Sequence, residues 1–135
     1  MEIQTLASLI ANKGIDQIDF SMLSEDVKIP MLNDAAYLFF KMDKHLDAIK
    51  SWTLAGNKAK LIEIGDWFYE SAKFKLAALS YIPVKDKSRL ENIGQLCIRE
   101  GIYGTAIKVY KELNDKAMVS FIIENFGEED KEMGQ

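Results

Sequence analysis

Residues 61–89, LIEIGDWFYESAKFKLAALSYIPVKDKSR, and residues 90–118, LENIGQLCIREGIYGTAIKVYKELNDKAM, are two copies of one 29-residue pattern, laid end to end without a gap. Seven positions are identical: Leu61/Leu90, Ile64/Ile93, Gly65/Gly94, Ala77/Ala106, Tyr81/Tyr110, Asp86/Asp115 and Lys87/Lys116. Ordinary composition would produce roughly two. Residues 32–60 form an earlier copy, with Leu32, Phe39, Ala48, Trp52 and Lys58 at matching places. A fixed step of this size marks a stacked repeat, in which each unit buries its apolar face only against its neighbours.

Within each copy the apolar residues fall at helical spacing, and the breaks divide it into two helices, A and B. In the first copy A is expected from about Pro30 to Met42 and B from about His45 to Ala55, ended by Gly56-Asn57. The second copy reads as A over 60–71 and B over 73–82, closed by Pro83. The third reads as A over 89–100 and B over 102–113. Residues 119–126 restart an A helix as a partial cap, with Val119, Ile122 and Phe126 lacking a covering B helix. At the other end, 2–13 reads as a helix with Ile3, Leu6, Ala7, Leu9 and Ile10 on one face and Gly14 after it. Residues 1–29 are therefore expected to be a degenerate terminal hairpin, and 127–135 a disordered acidic tail. The whole of 1–126 is expected to be a single solenoid domain.

The small residues Ala36, Gly65 and Gly94 on helix A, and Ala48, Ala77 and Ala106 on helix B, mark where two helices approach closely. Trp52, Tyr81 and Tyr110 are expected to wedge against the next copy's A helix, each gaining roughly 1.5–3 kcal/mol from burial. Position by position the copies resemble the tetratricopeptide repeat: Leu61, Ile64, Gly65 and Phe68 match the first half of its pattern, and Ala77 and Tyr81 the second. The third copy gives Leu90, Ile93, Gly94, Cys97, Ala106 and Tyr110. The step of 29 instead of 34 and the missing terminal proline make the chain similar to the shorter helical-hairpin repeats of coat and ciliary-transport scaffolds, through the turn Ala55-Gly56-Asn57-Lys58-Ala59. The resemblance implies an all-α fold, a right-handed superhelix of stacked antiparallel hairpins. It implies a non-catalytic scaffold or adaptor that holds a partner segment in the concave groove of its A helices.

Carried over residue by residue, the resemblance places the groove at Asn33, Tyr37, Phe40 and Lys41 in the first copy. The second copy contributes Ile62, Asp66, Tyr69 and Glu70, and the third Glu91, Gln95, Ile98 and Arg99. Tyr37, Phe40, Tyr69, Ile62 and Ile98 are too apolar for a surface without purpose, unless a neighbouring helix covers them. The cationic clamp with which some such arrays grip a C-terminal carboxylate is missing, since Asn33, Tyr37, Asp34 and Glu63 stand where it would be. A basic or apolar partner segment suits Asp66, Glu70 and Glu91 better. A homo-oligomer assembled through the incomplete last hairpin is the main alternative, with RNA binding behind it.

The remaining features narrow the class. A net charge of −4 disfavours nucleic acid and anionic membrane as partners. Cys97 is the sole cysteine, so no disulfide framework exists within the chain and a reducing, cytoplasmic setting is expected. Met1-Glu2 lacks the basic start of a signal peptide, and no apolar run approaches the roughly 20 residues of a membrane span. His45, the sole histidine, stands where Phe74 and Tyr103 stand in the other copies and reads as a packed aromatic. Cys97 matches Phe68 and reads as a buried thiol. The stretch Gly101-Ile102-Tyr103-Gly104 belongs to the repeat's own turn, more than to the glycine clamp of an RNA-binding loop, since basic residues do not surround it. Lys58, Lys87 and Lys116 are expected near helix C-termini, where the dipole favours a cation. No nucleotide-binding loop, zinc spacing or calcium loop is present, so no enzyme activity, metal or cofactor is expected.

Overall fold

A computed structural model describes residues 3–131, with side chains from Ala7 onward. The side chains of Ile3 and Leu6, and residues 132–135 of the expected tail, lie outside the described residues. Among those described, the regular structure is all-α. The helices are α1 (Ile3–Lys13), α2 (Glu25–Lys41), α3 (His45–Leu54), α4 (Lys58–Glu70), α5 (Phe74–Tyr81), α6 (Lys87–Arg99), α7 (Tyr103–Glu112) and α8 (Lys116–Phe126). Short 3-10 turns occupy Ile15–Gln17 and Ile82–Val84. No described helix is long and apolar enough to cross a membrane. The chain divides into two compact units, Met1–Leu61 and Ile62–Gln135.

The 29-residue step is written into the backbone. Gly14, Asp43, Ala72 and Gly101 all adopt left-handed φ, each at the end of an A helix or its equivalent. The residue after three of them closes the turn: Lys44, Lys73 and Ile102 donate N–H to the carbonyls of Phe39, Phe68 and Cys97 at 2.8–2.9 Å. This is the Schellman arrangement that satisfies the last carbonyls of a helix. A second series, Gly56, Lys85 and Asn114, turns left-handed after each B helix. Asn57, Asp86 and Asp115 follow, and each side chain accepts the N–H three residues on, from Lys60, Arg89 and Met118, at 3.1 Å. Those are N-caps. Lys58, Lys87 and Lys116 are therefore the first residues of A helices, not neighbours of a C-terminus. The dipole argument for them is reversed, and in the later two copies the aspartate cap supplies the favourable charge.

In the Met1–Leu61 unit α1 packs on α2 and α2 on α3. Ala7, Ile10, Ala11, Leu32, Ala36, Phe39, Ala48 and Trp52 fill its core. Two expectations fail here. Helix α2 begins at Glu25, so Pro30 lies inside it and does not open it. Ser24 in extended conformation, followed by acidic Glu25 and Asp26, starts the helix a turn and a half earlier. Nor do residues 1–29 form two helices of a hairpin. The second is replaced by the Ile15–Gln17 turn, whose Ile15 is buried and which packs on α3, with Asp16 paired to Lys50 at 2.8 Å.

In the Ile62–Gln135 unit the core comprises Ile64, Phe68, Ala77, Tyr81, Leu90, Ile93, Cys97, Ala106, Tyr110 and Ile122. Each tyrosine meets the glycine of its own A helix, and Tyr81 also meets Arg89 of the following one. A Cβ at Gly65 would stand 2.5 Å from Tyr81 Cε1, and one at Gly94 would stand 3.0 Å from the Tyr110 ring. Each ring lies on the glycine of its own A helix, and the absent Cβ makes the room. Helix α7 of the preceding copy covers the inner side of α8, so Ile122 is fully buried and Val119 half-buried without a B helix after them among the described residues. Phe126 is exposed on one side and stacks on Tyr103 with centroids 5.1 Å apart.

Residues 127–131, assigned above to a disordered tail, fold back on the start of α7. Ile102 and Asp130 form an antiparallel bridge, and Lys131 donates N–H to the Gly101 carbonyl at 3.0 Å. Asp130 accepts the Thr105 N–H at 2.8 Å and its hydroxyl at 2.9 Å, and pairs with Lys75 at 3.1 Å. Burial alone would raise the Asp130 carboxyl, but Thr105 and Lys75 outweigh it and the net shift is downward. The two glycines of the Gly101–Gly104 stretch make room for this segment. A Cβ at Gly104 would stand 2.8 Å from the Glu128 carbonyl oxygen, and one at Gly101 2.5 Å from the Lys131 side chain.

Candidate functional site

The A-helix positions divide into three sets with different fates. In the first, Asn33 donates to the Ile29 carbonyl and accepts from Asn57 at 2.8 Å, so its amide is engaged within the fold. Phe40 is half-buried, 5.2 Å from the His45 ring and 6.0 Å from Trp52. His45 is thus a packed aromatic. Tyr37 is 51% exposed, with the Lys41 ammonium 4.7 Å over its ring. This set presents one aromatic surface residue with a cation upon it.

The second set closes on itself. Tyr81 donates its hydroxyl to Asp66 Oδ1 at 2.5 Å. Arg89 reaches the same carboxylate with Nε and Nη2, both at 3.4 Å, and Asp86 Oδ2 with Nη1 at 2.8 Å. Its guanidinium stands 5.8 Å from the Tyr81 ring centre. Burial and the Asp66 charge push the Tyr81 hydroxyl well above its ordinary range. Burial also acts upward on Asp66, but Tyr81 and Arg89 bring its carboxyl below the ordinary value. Tyr69 packs edge-on against Phe74 at 5.8 Å, and its hydroxyl accepts from Asn92 at 3.2 Å. Ile62 is half-buried and Glu70 exposed.

The third set stays open. Glu91, Gln95 and Ile98 line a cavity of about 810 Å³ between α6 and the start of α8, and Tyr110 contributes from α7. Arg99 is exposed and not part of its wall. The rest of the lining includes Lys87, Leu113, Asp115, Lys116 and Met118. Comparing positions 29 apart explains the difference. Gln95 stands where Asp66 stood, and Met118 where Arg89 stood. Without the arginine and its acceptor, no such brace joins α6 and α8 among the described residues. Tyr110 keeps its place on Gly94, but its hydroxyl makes no hydrogen bond among the described residues. The third-copy residues that the resemblance named are thus largely brought together, while Tyr110, Asp115 and Met118 were missed. The signal for them was present: Arg89 changes to Met118 at equivalent places between copies, where Tyr81/Tyr110 and Asp86/Asp115 do not change.

The remaining chemistry is sparse. Cys97 is buried and its thiol is pushed up to about 12, chiefly by burial and also by the Asp130 charge, so the nucleophilic thiolate is suppressed near neutrality. No cluster of three or more His, Cys, Asp or Glu suited to a metal ion occurs among the described residues. Comparison with known proteins finds no matching family model, no matching curated protein and no matching solved structure.

Proposed function

We propose that this chain is a non-catalytic protein-interaction module, a scaffold or adaptor of tetratricopeptide-like helical hairpins that stack as a right-handed superhelix in the cytoplasm. It engages a partner segment on its A-helix side. The observation that carries this reading is the open α6–α8 cleft, set beside the closed one a repeat earlier. The mixed lining of Glu91, Asp115, Ile98 and Met118 suits a basic or apolar segment.

A photoreactive side chain at Gln95 tests this. It is expected to trap a small set of proteins that the same group at exposed Lys108, on α7 outside the cleft, does not trap. Equal trapping at both sites removes the reading. A second reading, self-association through α8, draws on Phe121 (48% exposed), Ile123 and Phe126. Sedimentation equilibrium separates the two, since a strict monomer at high concentration excludes the second.

A further inference from the structure

The closed cleft holds a template for what the open one lacks. In the closed cleft a guanidinium lies beside Tyr81, donates to Asp86 Oδ2, and reaches a second carboxylate at Asp66. In the open cleft the receiving parts are repeated. The Tyr110 ring lies on Gly94 as Tyr81 lies on Gly65. Asp115 Oδ1 accepts the Met118 N–H at 3.1 Å, as Asp86 Oδ1 accepts that of Arg89 at 3.1 Å. Asp115 Oδ2 is therefore left for a donor, where Asp86 Oδ2 has Arg89. The carboxylate lost by the exchange of Asp66 for Gln95 returns as Glu91, about one turn earlier on α6 and in the wall of the same cavity. Tyr110 is 95% buried as a residue and lines the cleft, and its hydroxyl, which makes no hydrogen bond among the described residues, is not shut away from solvent. The guanidinium has no counterpart here, Met118 standing in its place.

We propose that the α6–α8 cleft receives an arginine side chain from a partner protein, its guanidinium lying against Tyr110 and donating to Asp115 and Glu91. This rests on the reading of the chain as an interaction module and specifies the partner's chemistry. Arginine is favoured over lysine because a planar fork can stack on a ring and donate to two carboxylates at once, whereas an ammonium is a compact, strongly hydrated point charge. The rim cations Lys87 and Lys116 are exposed and screened by salt. Lys87 also adjoins Asp86 in the closed cleft and does not displace Arg89 there.

The probes are the capped tripeptides acetyl-Gly-Arg-Gly-amide, its lysine counterpart and its citrulline counterpart, titrated into the isotopically labelled full chain at low salt. Amide shifts are expected to concentrate on Glu91, Gln95, Asp115 and Met118. The arginine peptide is expected to bind about tenfold more tightly than the lysine one, and the uncharged citrulline peptide more weakly still. Asp115→Asn keeps the helix cap and removes the charge, and should weaken arginine binding about threefold or more. Met118→Arg supplies the missing guanidinium from within and should abolish the shifts in a folded protein. Equal binding of arginine and lysine peptides, shifts elsewhere, no shifts at all, or persistence in Met118→Arg each overturn the proposal. A wild-type dimer that Arg99→Lys dissociates also overturns it, because the occupant would then be a second copy. If the Gln95 photoprobe still traps its partner while the peptides show no arginine preference, the module reading stands and this inference alone fails.

Discussion

Gly65 and Gly94 occupy equivalent places on their A helices, yet the space around them differs by half an ångström. A Cβ at Gly65 meets a Tyr81 ring pinned by Asp66 at 2.5 Å, while one at Gly94 meets an unpinned Tyr110 ring at 3.0 Å. Alanine gains roughly 1 kcal/mol over glycine in a helix interior, and overpacking costs about 1–3 kcal/mol. Gly65→Ala is therefore expected to lose stability and Gly94→Ala to change it little, as read from urea unfolding midpoints. Ala72 holds left-handed φ of 58° without being glycine, a conformation that costs about 1–2 kcal/mol. Ala72→Gly removes that cost, offset in part by unfolded-chain entropy, so a gain of about 0.5–1 kcal/mol in the same assay is expected. Leu61/Leu90 and Ala77/Ala106 were legible as core from spacing alone, and the structure buries all four. The pinning of Tyr81 was not, because it depends on Asp66 and Arg89 meeting across 23 residues of sequence.

At the scale of elements, the start of α7 depends on a residue far along the chain. Ile102 is its N-cap residue and offers no side-chain acceptor, so Asp130 accepts the Thr105 N–H in its stead. Asp130→Ala is expected to cost about 1–2 kcal/mol, as a lost cap does. Faster amide exchange at Thr105 should accompany the loss, whereas exchange near Asp86 should not change. The helices themselves were readable, within a few residues, from apolar spacing and from glycine, asparagine and aspartate at the breaks. Their starts were not. Asn57, Asp86 and Asp115 read as turn residues and prove to be caps, which moves each A helix about two residues earlier. Pro30 read as a helix start and lies inside one, because the acidic pair before it nucleates the first turn.

For the molecule as a whole, Asp66, Asp86 and Asp130, three of the four described carboxyls that the fold lowers, weigh on stability in acid. Asp66 is lowered against the opposing effect of its burial, Asp86 chiefly by the Arg89 N–H, and Asp130 by Thr105 and Lys75 against its own burial. A carboxyl depressed in the fold adds stability that is complete above its unfolded value, 3.8 here, and is lost as pH falls through the lower folded value. The urea midpoint is expected to be insensitive to these groups down to about pH 5 and to fall below about pH 4, and Asp130→Asn should flatten that fall. Tyr81 acts in the opposite sense. Its raised hydroxyl favours the neutral fold below the unfolded value of 10.0, and that contribution is lost as pH rises through the higher folded value. By itself the sequence determined the 29-residue step, the all-α class and the buried series, because apolar periodicity and turn chemistry are local and repeat with the chain. Only the tertiary structure decided which cleft is closed and which is open, and that the acidic end caps α7. Both outcomes rest on charged groups from separate elements meeting within hydrogen-bond distance, and spacing along a chain does not encode such meetings.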